Sequence, residues 1–167
     1  APENPCDNLK KMNVWHLLTM TCGHDSVPPR KGTDNYVKQF LNHPVPYVPG
    51  THFQYSSMAS YMLTAIIRKV TGQNMTRYLR TRIFEPLGIY DAYCDTCPMG
   101  IEYGGGGLFL RTEDLAKLAV LYLNNGIWNG VRLLSESWVK EFTKMQFRDS
   151  WSHSNPTLKP DWYCGYG

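Results

Sequence analysis

Apolar residues recur at helical spacing along most of this chain. Met58, Tyr61, Met62, Ala65 and Ile66 fall at i, i+3, i+4, i+7 and i+8, Val70 continues the face, and Gly72 ends it. Leu115, Leu118, Ala119, Tyr122 and Leu123 repeat that five-point stripe, with Thr112 as the predicted cap and Asn125-Gly126 as the stop. Four shorter helices complete the pattern. One is predicted over 14–19, between the N-cap Asn13 and Gly23. A second covers 34–41, capped by Thr33 or Asp34, with Tyr36, Val37, Phe40 and Leu41 on one face. The third covers 75–84 and stops before Pro86; the fourth starts at Ser135 and carries Trp138, Phe142 and Met145. Trp128-Asn129-Gly130-Val131 reads as a hairpin turn. Residues 88–107 read as a loop, most flexible at Gly104-Gly105-Gly106-Gly107, and 147–167 show no period. Six helices and almost no strand predict a mostly α chain.

With 167 residues, 43% of them hydrophobic, the chain is long enough for one domain with a buried core. A scattered net charge of +3 gives no footprint for nucleic acid or an anionic membrane, and Arg77, Arg80 and Arg82 read as a solvated helix face. No run of eighteen apolar residues exists, so no membrane span is predicted. The cysteines (Cys6, Cys22, Cys94, Cys97 and Cys164) include one lone Cys-x-x-Cys at Cys94 and Cys97. Without a second pair it reads as loop thiols, or one disulfide in an exported protein, and not as a zinc site. Pro98 also blocks the helix that a thioredoxin-like motif needs. His16, His24, His43, His52 and His153 are scattered, with no acid at ligand spacing, so neither a metal nor a cofactor is implied. The compartment stays open between cytoplasmic and exported.

Chemistry concentrates at Pro49-Gly50-Thr51-His52-Phe53-Gln54-Tyr55-Ser56-Ser57, which runs straight into the strongest helix. Proline followed by glycine forces a turn, Phe53 anchors it, and Tyr55 arrives at the helix mouth. Unpaired N–H groups and the positive end of the helix dipole there favour tyrosinate, the route by which a phenol becomes a base near neutral pH.

That stretch is one of five blocks that resemble, in order, the serine β-lactamase-like family of class C β-lactamases, D-Ala-D-Ala carboxypeptidases and related esterases. The others are Asn13-Val14-Trp15-His16-Leu17-Leu18-Thr19-Met20-Thr21-Cys22-Gly23 and the segments 78–88, 106–130 and 134–139. Met20 stands where the family commonly has histidine, and Cys22 where serine is usual. The resemblance implies that residues 1–167 form a single partial domain, the helical middle portion of the serine β-lactamase/penicillin-binding-protein-like α/β fold. The parent would be an acyl-transferring serine hydrolase acting on a small ester, amide or β-lactam. Tyr55 maps to the general base and Ser57 to the position where asparagine often binds the substrate amide. Ser57 therefore favours esterase or peptidase action over β-lactamase action. Gly104 to Gly107 map to a backbone-hugging turn near the active-site rim.

The family's Ser-x-x-Lys motif belongs before Asn13, and the first twelve residues contain no serine. Its late Lys-Thr-Gly or His-x-Gly motif belongs after Trp162-Tyr163-Cys164-Gly165-Tyr166-Gly167. This chain by itself is thus expected to be inactive, a base without a nucleophile. Lys31-Gly32-Thr33 has the right letters in the wrong order along the chain. Ser137-Trp138-Val139-Lys140 matches Ser-x-x-Lys formally but follows Tyr55, and reads as a solvated helix start. The competing class is a non-catalytic binding or interaction module that kept the fold and lost the site. In either case the stripes from Met58 and from Leu115 are expected to pack mainly on each other. Apolar surface left over would serve self-association or pairing with the rest of the parent chain.

Overall fold

Side chains decide where four of the seven described helices begin in the computed structural model, which covers residues 2, 4–30, 35–148 and 163–164. Helix α1 (Asp7–Lys11) starts behind Cys6, whose Sγ accepts from the Leu9 N–H. Helix α2 (Val14–Leu18) starts with a capping box, as Asn13 predicts. Asn13 Oδ1 accepts from the His16 N–H at 3.3 Å, and His16 Nδ1 accepts from the Asn13 N–H at 3.0 Å. In α3 (Tyr36–Asn42) the cap is Asn35, not Thr33 or Asp34, because its amide oxygen reaches the Lys38 N–H at 3.1 Å. Helix α4 (Ser57–Thr71) ends at Gly72 in the left-handed conformation, φ 71°.

The predicted 75–84 helix is two pieces, α5 (Met75–Leu79) and a π-helical turn Arg80–Phe84. The wider turn brings Phe84 into the core just before Pro86, which has no N–H to continue the ladder. Helix α6 (Thr112–Leu123) takes Thr112 as its first helical residue, with Arg111 and not Thr112 at the N-cap and no side-chain cap. Helix α7 (Glu136–Thr143) is capped by Ser135, whose Oγ accepts from the Trp138 N–H at 3.1 Å.

Strands occur as three antiparallel pairs: β1 (Tyr93–Cys94) with β2 (Leu108–Phe109), β3 (Ile127–Trp128) with β4 (Val131–Arg132), and β5 (Phe147–Arg148) with β6 (Tyr163–Cys164). The predicted turn joins β3 to β4, with Asn129 and Gly130 both at positive φ. Strand β1 lies in the region read as loop and β2 directly after it; two residues each are too few to show alternation. No sheet among the described residues exceeds two strands, so they are mainly helical and hold no central sheet.

The core is in two parts. Met58, Ala59, Tyr61 and Met62 of α4 meet Leu17, Tyr36, Phe40, Cys97 and Ile101. Phe84, Leu87, Ile89 and Leu121 form the second cluster, with Leu118, Trp128 and Leu134 packed against it. The stripes of α4 and α6 thus belong to different clusters and do not mainly pack on each other. In α6 the inward face is Asp114, Lys117, Leu118 and Leu121, turned by roughly one residue step, ~100°, from the predicted stripe. Lys117 is what permits the turn: its ammonium donates to Asp114 Oδ1 at 2.7 Å and to the Gly88 carbonyl at 3.1 Å.

Candidate active site

The backbone ahead of α4 is pinned by three long-range hydrogen bonds. The N–H groups of Tyr47, Gly50 and Gln54 donate to the carbonyls of Gly23, Thr21 and Met20, at 3.1, 2.8 and 3.0 Å. Gly23 has φ 86°, and a Cβ there would lie 2.3 Å from the Tyr47 carbonyl oxygen, so only glycine allows this approach. Met20 also sits in the left-handed region, at φ 54°, without glycine's freedom. Beneath this crossing the Thr19 and Thr21 hydroxyls are paired at 2.8 Å, and both residues are buried. The family's histidine and serine positions, Met20 and Cys22, are therefore structural here: one carries the strained carbonyl that holds Gln54, the other is core. Burial pushes the Cys22 thiol up to about 12, which leaves it unreactive.

Tyr55 follows Gln54 directly and precedes Ser56, the N-cap of α4. Its side chain is 61% exposed. The hydroxyl makes no hydrogen bond among the described residues, so they do not supply the donors that the tyrosinate reading requires. Ser57, the first helical residue, is half-buried. Ser56 is not among the sequence candidates. It makes no capping bond, and its Oγ is buried without a partner, the residue being 3% exposed. The N-terminus of α4 thus keeps its orphan N–H groups uncapped by a side chain.

The glycine run closes on this helix start. A Cβ on Gly105 would lie 2.7 Å from both Cα and Cβ of Ser57, and one on Gly104 would lie 2.3 Å from the Ser60 carbonyl oxygen. Gly107 turns the chain at φ 72° beside Asp95, whose N–H donates to the Gly107 carbonyl at 2.8 Å. Thr64 Oγ1 donates to the Glu102 carbonyl at 2.6 Å and ties the base of the loop to α4. Tyr55, Ser57 and the glycine turn are accordingly brought together at one helix end.

Other sequence candidates are not part of this assembly. Ser137 Oγ is hydrogen-bonded to Ser135 Oγ at 3.1 Å, while Lys140 pairs with Glu136 at 2.6 Å, so the formal Ser-x-x-Lys pair does not engage itself. Cys94 and Cys97 are buried free thiols. They lie on extended backbone that pairs with 101–109, where residues three apart are separated by roughly 10 Å, beyond the reach of a disulfide. Cys97 Sγ instead meets Tyr61 Oη at 3.4 Å. No cluster of three or more metal-ligating side chains, and no helix long and apolar enough to cross a membrane, occurs among the described residues. Lys31-Gly32-Thr33 lies outside the described residues, as do Trp162 and 165–167.

Across residues 1–167 the chain matches the family model described as Beta-lactamase. It is 30% identical over 89 residues to 6-aminohexanoate-dimer hydrolase of Paenarthrobacter ureafaciens, a match covering 53% of this chain and 23% of that protein. The octameric penicillin-binding protein homologue from Pyrococcus abyssi superposes with a TM-score of 0.67 at 20% identity, over 90% of this chain and 41% of its own. The penicillin binding protein from Bacillus halodurans gives 0.64 at 17% identity, over 98% and 60%. The chain thus spans less than two thirds of the length of each of these relatives. With the model matched from end to end, the chain belongs to the β-lactamase family.

Proposed function

We propose that this chain carries the tyrosine-base portion of an acyl-transferring serine hydrolase whose Ser-x-x-Lys motif lies in a preceding segment. The observation that carries the reading is the juxtaposition at the start of α4. A solvent-facing Tyr55 stands beside an uncapped 15-residue helix, and a glycine turn is pressed onto Ser57. In this role Tyr55 takes the proton of the attacking serine and returns it to the leaving group, which a weak serine nucleophile requires. The α4 N-terminus favours negative charge at that point. Ser57 donates or accepts one hydrogen bond at the substrate, where asparagine would offer both a carbonyl and an amide, so esters and simple amides are preferred to β-lactams.

The longer protein, with a Ser-x-x-Lys before Asn13, tests this with a nitrophenyl ester, a short peptide amide and nitrocefin. Turnover of the first two is expected to exceed that of nitrocefin. Tyr55→Phe should lower kcat by about 10²–10⁴ with little change in KM. The 167-residue chain alone should turn over none of the three. An unchanged kcat in Tyr55→Phe, or a gene without an upstream Ser-x-x-Lys, would leave the non-catalytic binding module as the reading. Fluorophosphonate labelling at Ser137 in the short chain would also overturn it.

A further inference from the structure

An apolar trough runs along α4, away from Tyr55. Two depressions of about 400 and 530 Å³ share Leu41, Met62 and Ile66, which makes them one continuous groove between α3 and α4. Leu17 and Phe40 line its first half, Val37 and Ile101 its second. Asn13 and Asn35 are its only uncharged polar side chains among the described residues. The charged side chains on its edge are Lys10, Arg68 and Lys69, and no carboxylate lines it. Lys10 is already paired with Asp7 at 3.1 Å. At the other end Arg68 Nη1 donates to the Met99 carbonyl at 3.1 Å, which fixes the guanidinium at the edge, and Lys69 makes no ion pair among the described residues.

We propose that this trough binds a medium-chain fatty carboxylate, its alkyl chain along α4 and its head at Arg68 and Lys69. The body of the ligand has to be apolar, because polar groups laid against these walls would lose water without gaining partners. Its head has to be anionic, because the charge at the Arg68 and Lys69 end is cationic and no acid lines the trough to offset it. Length follows from the helix: from Met62 to Lys69 is about 10 Å, the reach of a chain of roughly eight to ten carbons. The volume is that of a small-molecule cleft. Neither Tyr55 nor Ser57 lines it, so this site stands independently of the catalytic reading.

Calorimetric titration of the 167-residue chain with sodium hexanoate, octanoate, decanoate and dodecanoate, each below its micelle concentration, tests the proposal. Affinity is expected to rise about fourfold per added methylene up to decanoate and then level off. Decanol and decyltrimethylammonium should bind at least tenfold more weakly than decanoate. Lys69→Glu, on an exposed position, should weaken decanoate about tenfold while leaving the melting temperature unchanged. Methyl NMR shifts should fall on Met62, Ile66 and Ile101. Affinity that ignores chain length, equal binding of the cationic amphiphile, an unaffected Lys69→Glu, or shifts on Leu115 and Leu123 instead would each overturn it. So would loss of binding in the longer protein, which would show that another segment of that protein fills the trough.

Discussion

His24 is the residue at which burial and ionisation conflict most sharply. It is 1% exposed, neither ring nitrogen has a partner, and its ring is wedged edge-on between Phe40 and His43 at 4.8 and 5.2 Å. His43 in turn is held by Ser26 Oγ at 3.1 Å. Burial pushes the His24 ring down to about 4, His43 adds in the same direction, and Asp25 opposes it. Unfolded, the ring protonates near pH 6.5; folded, only near pH 4. Between these values the unfolded state binds more protons, so this contribution to stability is complete above pH 6.5. It is lost as pH falls toward 4, by roughly 3–4 kcal/mol in full. Urea midpoints of the wild type should therefore drop between pH 7.5 and 4.5, while those of His24→Phe should stay nearly level and lie higher at both. An equal drop in the variant would assign the pH dependence to another group. Sequence reading had placed His24 among scattered histidines, since nothing in its neighbours' letters shows that a loop residue will be buried. The position of Tyr55 at the start of α4 was legible for the opposite reason: Pro49-Gly50 and the α4 stripe bracket it, and both are local signals. The burial of Ser56 was not, because the letter of a serine before a helix does not show that its hydroxyl turns inward.

At the scale of elements, the glycine run is a spacer whose four positions are not equivalent. Gly104 and Gly105 face the α4 backbone, where an added Cβ would sit 2.3 Å from the Ser60 oxygen and 2.7 Å from Ser57 Cα; Gly106 meets nothing within 4 Å. Gly104→Ala and Gly105→Ala must therefore push the loop off α4. Each should cost about 1–3 kcal/mol by chemical denaturation, whereas Gly106→Ala should be within about 0.5 kcal/mol of wild type. Equal costs at all three would mean that backbone entropy, and not close approach, explains the run. The expectation of a turn hugging the backbone came from resemblance; the letters alone predicted only flexibility, because contact between residues 57 and 105 is invisible to any local window. Helix α6 shows the complementary failure. Its stripe was correctly read as helical, but the face was misplaced because it was drawn from apolar letters alone, while Asp114 and Lys117 lie on the inner side. Paired with each other and with the Gly88 carbonyl, they line the inner face without an unsatisfied charge.

For the molecule as a whole, that rotation of α6 has a consequence for association. Leu115 and Leu123 are 62% and 80% exposed, and Ala119 between them and Val120 beside them are also open. At i, i+4 and i+8 these side chains form one apolar line on a helix whose other side is already buried in the second cluster. Covering a leucine side chain contributes roughly 1.5–3 kcal/mol, and a dimer that buries two such lines against each other gains several of these terms. Opposing this is the translational and rotational freedom lost on association, about 4–15 kcal/mol, so the dimer should be weak and concentration-dependent. Size-exclusion chromatography with light scattering on the 167-residue chain is expected to show mass rising with concentration, together with binding of a hydrophobic dye. Leu115→Lys with Leu123→Lys should return a monomer that ignores the dye and melts at the wild-type temperature, because neither side chain contributes to a core. A wild-type chain that stays monomeric and dye-free at high concentration would mean that this line is covered within a single copy. An associating double variant would place the interface elsewhere, the exposed Tyr93 and Phe109 of β1 and β2 being the next apolar pair to change.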